Sequence, residues 1–331
     1  MRHIQVYVVI PPRVTMLDVA GPLEVLRRAN REQSDVRFEV RYVGPSESVL
    51  SSIGLPLGSI DPLPTTLPDD AMVVVAGDVD QVMVPAGRMD GRTAAEEKAD
   101  AAAIVDWLRR TIRPGHKLIL ICSGALLAAK ARLLDGYNCT THYLCCAELA
   151  AVAPKAKVQE NRLYVEDGER YSSAGITAGV DLMLFLVGRL TDESCAAAIA
   201  RYLVVYLRRG GADPQLSPWL AGRNHIHPVV HRVQDAIAGD PARAWDLSGL
   251  ARIAGASKRH LTRLFHQHAG MSVTDYRNRL RATLAHELIS QTRLDIENVT
   301  ERTGFGSSRQ LRRAWRRLYG TTPRQARTQA R

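Results

Sequence analysis

Three polar residues at the ends of separate predicted segments have the types that nucleophilic chemistry needs. Cys122 comes directly after a predicted buried strand, Lys117–Ile121, and before a helix. Cys122 is thus expected beside backbone N–H groups at a helix N-terminus, which favour a thiolate. Asp18 opens a helix after the first predicted strand, and His142 lies twenty residues beyond Cys122. With Ser123, these residues predict a pocket that either binds a ligand or supports cysteine-dependent catalysis.

Cysteine and histidine spacing raises a metal site as an alternative. Cys139, His142 and Cys145 are spaced like metal ligands, and Cys146 adds a further thiol. However, Cys145 and Cys146 fall in a predicted apolar helix, Leu144–Val152, where free cysteine packs as a small hydrophobe. Two cysteines separated by two residues, the common zinc-binding pair, are missing. The sequence therefore predicts no metal site and no other cofactor.

The last third of the chain is strongly basic. Residues 224–331 contain 19 Lys and Arg against eight Asp and Glu, whereas the first 223 residues contain 25 and 26. This asymmetry predicts a polyanion partner for the carboxy-terminal part, with double-stranded DNA the leading candidate. A membrane-surface helix is the alternative. It would need an exposed apolar and aromatic face, and the aromatic residues here fall at core spacing.

The basic region repeats itself with an offset of 50 residues. The matched pairs are Ser257 and Ser307, Arg259 and Arg309, Leu261 and Leu311, Arg263 and Arg313, Phe265 and Trp315, and Gly270 and Gly320. Each copy predicts a short helix, a glycine-containing turn and a second helix, which is the helix-turn-helix arrangement. Ser257 and Ser307 are predicted to cap the two second helices.

Each second helix combines an apolar face with a basic stripe. The stripes consist of Arg259, Thr262, Arg263 and His266 in the first copy, and of Arg309, Arg312, Arg313 and Arg316 in the second. Like charges on one helix face repel each other, and a face that is merely solvated usually mixes signs, whereas neither stripe contains a carboxylate. Arginine matches guanine edges in the major groove, while residues near helix ends serve phosphates. The stripes therefore predict two DNA-reading helices.

Strand-like and helix-like segments alternate before the basic region. The predicted strands are Ile4–Ile10, Val36–Val43, Ala71–Ala76 and Lys117–Ile121, and the predicted helices are Asp18–Asn30, Ala94–Thr111, Ser123–Ala131, Gly175–Leu190 and Asp192–Arg208. Leu163–Val165 and Arg170–Ser172 predict a hairpin. Such alternation is typical of a doubly wound, mostly parallel sheet with helices on both faces. The last two helices are more apolar than one core face requires, which suggests a homodimer interface.

These segments predict three regions of the chain. Residues 1–209 form an α/β domain, the Gly- and Pro-rich residues 210–226 a linker, and residues 227–331 an all-helical domain. His225, His227 and His231 are expected to cap or pack at the end of the linker. The start of the chain lacks the pattern of a signal peptide, no apolar run suffices for a membrane span, and the five cysteines form no paired framework. A cytoplasmic protein is expected.

The repeated unit resembles the AraC/XylS regulators. The residues that carry the resemblance include Ala254-Gly255, Arg263-Leu264-Phe265, Gly304-Phe305, Arg313-Ala314-Trp315 and Gly320-Thr321-Thr322-Pro323. It implies that a helix, Val273–Gln291, joins two helix-turn-helix units that read successive major grooves. By position, it implies DNA contacts from Ser257, Lys258, Arg259, Thr262, Arg263, Ser307, Ser308, Arg309, Arg312 and Arg313. Thr300, Trp315 and Val273 depart from the family pattern in ways that affect packing.

The first domain resembles the glutamine-amidotransferase-like superfamily of flavodoxin-like fold, which includes PfpI-type proteases and isonitrile hydratase. The resemblance rests on the segments around Asp18, Cys122 and His142, on Leu133-Leu134-Asp135-Gly136, and on Ser173–Asp181. It places Asp18, Cys122 and His142 in the family's acid, nucleophile and histidine positions. Ala76-Gly77-Asp78 departs from a Pro-Gly-Gly turn that lines the pocket in many relatives. The order of domains resembles the GlxA-type regulators.

Together the two resemblances imply a transcription regulator in which a sensor domain controls a DNA-reading domain. A sensor needs a pocket whose occupancy shifts a population, and it needs no turnover. We therefore expect a ligand pocket without useful catalysis. A retained cysteine-dependent hydrolase or hydratase activity is the alternative, and a redox-sensing Cys122 is another. The family further implies a nitrogenous metabolite as effector, a homodimer, and RNA polymerase as a candidate partner.

Overall fold

The computed structural model describes residues 1–83, 93–205, 209–211, 213, 215, 225 and 227–329. The chain forms two compact units, Met1–Gln215 and Leu216–Arg331. Among the described residues, no helix is both long and apolar enough to cross a membrane.

The first unit is built around a seven-stranded sheet of order β10-β11-β7-β6-β1-β2-β5. All neighbouring strands run parallel except β10 and β11, which form the predicted antiparallel hairpin. The strands of this unit are β1 (Arg2–Val9), β2 (Val36–Gly44), β3 (Val49–Leu50), β4 (Pro56–Leu57), β5 (Asp61–Pro62), β6 (Met72–Val75), β7 (Lys117–Ile121), β8 (Asn138–Cys139), β9 (Lys157–Val158), β10 (Tyr164–Asp167) and β11 (Arg170–Ser173).

Helices cover both faces of this sheet. They are α1 (Met16–Glu32), α2 (Ala94–Thr111), α3 (Gly124–Lys130), α4 (Cys146–Val152), α5 (Thr177–Leu190) and α6 (Glu193–Tyr202). Because side chains alternate along a strand, Val6 and Val8 of β1 pack in a core with α1, α5 and α6, whereas Tyr7 and Val9 pack with α2, α3 and α4. The predicted doubly wound α/β fold is confirmed.

Two features of the first unit differ from the sequence-based expectation. Helix α6 ends at Tyr202, and Leu203 and Val204 form a turn in which Val204 has a φ of 55°. The unit also extends to Gln215, beyond the predicted end at residue 209, because Leu163 donates its backbone N–H to the carbonyl oxygens of Gly211 and Asp213. The rest of the predicted linker lies largely outside the described residues.

The apolar excess of α5 is accounted for inside the first unit. On α5, Leu182, Met183, Leu186 and Val187 are all buried in the core that they share with α1 and α6. Burial within the unit therefore explains the apolar character from which the sequence suggested a homodimer interface.

The second unit is all helical. Its helices are α7 (Pro228–Gly239), α8 (Leu247–Ala254), α9 (Lys258–Ala269), α10 (Val273–Gln291), α11 (Ile296–Arg302), α12 (Ser308–Tyr319) and α13 (Pro323–Gln329). Two hydrophobic cores share α10: Tyr276 and Leu280 pack with α7, α8 and α9, whereas Ala285 and Ile289 pack with α11 and α12. This arrangement gives the two helix-turn-helix units, α8 with α9 and α11 with α12, that the repeat predicts.

Candidate functional site

Cys122 lies at the sharp turn between β7 and α3. Its φ is 55°, a left-handed conformation that is costly for a residue with a side chain. Two hydrogen bonds hold this turn: the Cys122 N–H donates to the carbonyl oxygen of Ser173 at 3.0 Å, and the Thr141 hydroxyl donates to the Cys122 carbonyl oxygen at 2.8 Å. The turn presents the thiol at the carboxyl edge of the sheet, where α/β proteins place their ligand sites.

Asp18 reaches the same edge from the first turn of α1. Its side chain is completely buried, and one carboxylate oxygen accepts the backbone N–H of Ile176 at 2.6 Å. The other oxygen, Oδ2, is buried without a hydrogen-bond donor of good geometry among the described residues. Burial raises the pKa of Asp18 to about 6, against the lowering effect of the Ile176 N–H and the Cys122 thiol. The carboxyl group is therefore partly protonated near neutral pH.

Burial of Cys122 opposes the thiolate that its position at a helix N-terminus favours. Burial raises the pKa of the Cys122 thiol far above its ordinary value, and the nearby Asp18 carboxylate raises it further. Contact with the backbone N–H of Ser123 acts in the opposite direction but is the smaller effect. Because helix α3 has only seven residues, its N-terminus contributes too little to offset desolvation. The thiol is protonated at neutral pH.

Two glycines let the backbone approach this thiol closely. A Cβ atom at Gly175 would lie 2.2 Å from the Cys122 Cβ, and one at Gly77 would lie 2.6 Å from Asp18 Oδ2. Gly175 also has a φ of 83°, which favours glycine. Gly77, Gly175 and Ile176 therefore help to build the site. Sequence reasoning did not assign them to it, because such approach depends on tertiary packing; their only signal was their place in the quoted family segments.

Ser123 ties the Cys122 turn to the turn after β6. Its hydroxyl donates to the Asp78 carboxylate at 2.8 Å and accepts the Asp78 backbone N–H at 2.9 Å. Asp78 belongs to the segment that departs from the Pro-Gly-Gly turn of many relatives. It brings a second carboxylate to this edge, and its charge contributes to the raised pKa of Asp18.

His142 is only loosely associated with this group. Its ring packs against Tyr143 with 4.5 Å between centroids, and partial burial lowers the pKa of the imidazole, which is neutral at pH 7. No hydrogen bond connects the ring with Cys122 or Asp18 in the part of the chain that the structure describes; Thr141, one residue earlier, makes the contact instead. The structure thus brings together Asp18, Cys122 and Ser123 and leaves His142 beside them.

The cysteines and the histidine with metal-like spacing lie on or next to different short elements. Cys139 is buried in β8, and the Cys146 thiol lies near the carbonyl oxygens of Thr141 and His142. Among the described residues, no three His, Cys, Asp or Glu side chains are grouped so that they could hold a metal ion.

A separate cavity of about 590 Å³ lies between α1 and the edge of the sheet at β2. Its wall includes Leu23, Phe38 and Val40, and neither Asp18 nor Cys122 lines it. Glu24 and Arg27 also line it and form an ion pair of 2.7 Å. This volume falls in the range of small-molecule sites. The cavity and the polar group around Cys122 are thus two different places in the same unit.

Helices α9 and α12 expose the basic stripes that the sequence predicts. Ser257 and Ser307 cap them, since each hydroxyl accepts a backbone N–H, from His260 and Gln310 respectively. The exposed residues of the two predicted sites are Ser257, Lys258, Arg259, Thr262, Arg263, Ser307, Arg309, Arg312 and Arg313, and Ser308 is half-buried. The structure therefore places these residues on exposed, capped helices.

The arginines of α12 have no carboxylate partner. Within the described ranges, Arg309, Arg312, Arg313 and Arg316 make no ion pair and no hydrogen bond through their side chains, and Arg263 bonds only the ring of His260. The opposite faces of both helices are apolar and buried, with Phe265 on α9 and Trp315 on α12 fully covered. Because these apolar faces are buried, the basic stripes on the opposite faces of α9 and α12 are exposed to solvent.

Comparison with known proteins agrees with both units. Residues 4–189 match the DJ-1/PfpI family, and residues 250–329 match a helix-turn-helix domain. The HTH-type transcriptional regulator GbdR of Pseudomonas aeruginosa is 31% identical over 313 residues, which cover 95% of this chain and 81% of GbdR. Isonitrile hydratase of Pseudomonas putida is 30% identical over 191 residues, which cover 57% of this chain and 72% of that enzyme.

Among solved structures, a ThiJ/PfpI family protein from Pseudomonas syringae has the same fold as the first unit. The TM-score is 0.50 at 23% identity, with 77% of this chain and 92% of that chain covered. The match to DJ-1/PfpI spans more than half of the chain, and the similarity to GbdR continues through the helical unit. The chain therefore belongs to the DJ-1/PfpI family and, within it, to the GlxA-type transcriptional regulators, in which that domain precedes an AraC-type helix-turn-helix domain.

Proposed function

We propose that this transcription regulator reads its operator through α9 and α12 and that a small metabolite bound by the first unit controls this binding. The observation that supports the reading role most strongly is the matched pair of exposed basic stripes. Both stripes lie on helices capped by serine, and the arginines of α12 have no intramolecular partners among the described residues. Such surfaces suit the phosphates and guanine edges of DNA.

The position of each residue along its helix suggests its role. Ser257, Lys258 and Ser307 lie at the helix N-termini, where backbone N–H groups and the helix dipole favour phosphate oxygens. The residues proposed for base contacts are Arg259, Thr262, Arg263, Ser308, Arg309, Arg312 and Arg313. Arginine in these places can form two parallel hydrogen bonds with one guanine, which gives sequence discrimination as well as affinity.

The effector has two candidate sites in the first unit. The group formed by Asp18, Cys122, Ser123 and His142 remains the site that the sequence predicts. The cavity beside α1 offers the space that a metabolite needs, and its Glu24–Arg27 ion pair supplies both signs of charge. Arg27 also contacts the hydroxyl of Tyr202 at the end of α6. A ligand that moves Arg27 would therefore act on the last helix before the predicted linker.

Substitutions distinguish the two candidate effector sites. Metabolites that raise the melting temperature of the wild-type chain bind its folded state, and nitrogenous compounds such as arginine and betaines are tested first. Val40→Phe would fill the cavity, whereas Cys122→Ala would alter only the buried polar group. Loss of the stabilisation in one variant identifies the effector site, and an unchanged response in both would contradict the proposal that either place binds the effector.

The regulator is proposed to act as a homodimer in the cytoplasm. A homodimer would match two-fold related DNA half-sites, and RNA polymerase is the partner through which a bound regulator would act on transcription. DNA binding and action on RNA polymerase would both occur in the cytoplasm, which is therefore the proposed location. Analytical ultracentrifugation with and without operator DNA tests the dimer, and a monomer bound alone to a two-fold symmetric operator would contradict it.

Cysteine-dependent catalysis is the second candidate function, and the similarity to isonitrile hydratase favours it. The raised pKa of Cys122 argues against it, because the thiolate is the nucleophile. The test is a panel of amide, ester and isonitrile substrates with the wild-type chain and Cys122→Ser. Turnover above about 1 s⁻¹ that disappears in Cys122→Ser would establish an enzyme, whereas no turnover in either supports a sensor.

A further inference from the structure

A buried arginine lies where the two helix-turn-helix units meet. Arg281 is in the middle of α10, between Leu280, which belongs to the first hydrophobic core, and Ala282, which belongs to the second. Its side chain is almost completely buried. Burying a guanidinium costs free energy unless its N–H groups are hydrogen-bonded. We therefore expect acceptors around the Arg281 side chain.

All the hydrogen bonds of this guanidinium go to backbone carbonyl oxygens. These acceptors lie in two separate segments of the helical unit. Nε donates to Pro241 at 2.7 Å, and Nη2 donates to Arg243 at 2.7 Å and to Ala242 at 3.4 Å. These three acceptors lie in the loop between α7 and α8. Nη1 donates to the carbonyl oxygen of Gly304, in the turn between α11 and α12. One side chain therefore joins the loop that precedes the first helix-turn-helix (α8 with α9) to the turn inside the second helix-turn-helix (α11 with α12).

The same two segments also touch each other directly. A Cβ atom at Gly304 would lie 2.0 Å from the Ala242 carbonyl oxygen, and Gly304 has a φ of 73°. Only glycine fits both the close contact and the backbone conformation. A neighbouring arginine holds the loop as well, because Arg277 donates to the carbonyl oxygen of Trp245 at 2.7 Å. The junction is thus fixed by packing and by hydrogen bonds.

Arginine suits this place better than lysine. Its planar guanidinium presents five donors in a fixed geometry, whereas an ammonium group provides three donors around one point. Burial lowers the pKa of Arg281 to about 10, so that the side chain remains charged at neutral pH. A lysine would keep the charge but could not reach carbonyl oxygens on two separate segments.

We infer that Arg281 is a positioning residue that fixes the distance and orientation between α9 and α12, and thereby the spacing between the two DNA elements that the regulator recognises. The inference rests on the proposed reading of DNA by these two helices. Arg281 itself is buried and makes no DNA contact in this account. Its loss should therefore affect how the two elements are combined and leave the recognition of each element unchanged.

The test is selection of binding sites by the full-length chain from duplex DNA with a randomised core. Wild type is compared with Arg281→Lys and with Arg279→Lys, a control at an exposed position of the same helix. We expect wild type to enrich, within each half-site, two elements at one spacing, about 10 bp apart. Arg281→Lys should enrich the same elements at several spacings. It should bind the best wild-type site about tenfold more weakly, the effect of losing one charge-assisted hydrogen bond, with unchanged affinity for a single element.

Other results would overturn the inference. If Arg281→Lys selects the same single spacing as wild type, or loses single-element and paired binding in equal proportion, the residue has no positioning role. If this variant does not fold, Arg281→Gln replaces it, since glutamine removes most of the N–H donors of the same side chain but keeps it polar, and an unchanged single spacing there would contradict the inference. A folded wild-type chain that enriches no sequence would refute the DNA-reading function and the inference together.

Discussion

The carboxyl group of Asp18 and the thiol of Cys122 share a buried environment that favours the neutral form of both groups. Burial raises the pKa of Asp18 to about 6 and raises the pKa of Cys122 well above its ordinary value. The folded chain therefore holds the Asp18 proton more tightly than the unfolded chain does. Protonation of Asp18 stabilises the fold fully below pH 3.8, and this contribution is lost as the pH rises through 6.

Asp18→Asn tests this environment. Asparagine is neutral at every pH and can still accept the N–H of Ile176, so the variant should gain stability relative to wild type as the pH rises from 4 to 8. The expected gain is about 3 kcal/mol, from two pKa units at about 1.4 kcal/mol each. Urea unfolding at a series of pH values measures it. Asp35→Asn, at an exposed position of the same unit outside this site, is the control, and a pH-independent difference for Asp18→Asn would contradict the account.

At the scale of elements, the regulator depends on two helices that present basic residues in matched places. Arg259 and Arg309 are both exposed and occupy the second helical position after the capping serine. The apolar faces of α9 and α12 are anchored in two separate cores. Substitution of an exposed arginine should therefore leave the fold intact and affect DNA binding alone.

We predict that Arg259→Ala and Arg309→Ala each weaken operator binding by about 1–3 kcal/mol and relax specificity at one base position. The reason is that each arginine can form a two-pronged contact with one guanine. Titration of operator and scrambled DNA, followed by fluorescence anisotropy, measures both effects. Arg279→Ala removes the same charge from α10 and serves as control. An equal loss on operator and scrambled DNA would show that the two arginines contact phosphates only.

The sequence predicts elements with a long, regular pattern and misses those without one. The bounds of α2 and β7 agree with the prediction, because the pattern of apolar residues marks their extent, and the bounds of α10 agree with those that the family resemblance implies. Strands β8 and β9 have only two residues each and carry no pattern. The members of the Cys122 site could be named from family segments. The ionisation of Cys122 and the close approach of Gly175 could not, because both depend on packing between distant segments.

Across the whole molecule, the change from balanced to basic charge along the sequence falls close to the boundary between the two compact units. The excess of basic residues lies after residue 223, and the helical unit begins at Leu216. The first unit has nearly balanced charge and a sheet with two covered faces, which suits ligand binding more than contact with DNA. We therefore expect a division of labour in which the first unit binds the ligand and the helical unit binds DNA.

We predict that residues 216–331 alone bind DNA and that residues 1–215 do not. The affinity of the helical fragment should fall about 10³- to 10⁵-fold between 50 and 200 mM salt if it contacts six to ten phosphates. Electrophoretic mobility shifts at several salt concentrations measure this. Binding by the first fragment, or a complex insensitive to salt, would contradict the division of labour.

If α9 and α12 read two neighbouring major-groove segments, hydroxyl-radical footprinting of the full-length chain on its best selected site will show both segments. Each bound protomer should protect two segments on one face of the duplex, about 10 bp apart, and a dimer should repeat this pair in the second half-site. Arg259→Ala should weaken protection of one segment, and Arg309→Ala protection of the other. A single protected segment, or equal loss of both segments in each variant, would contradict the account.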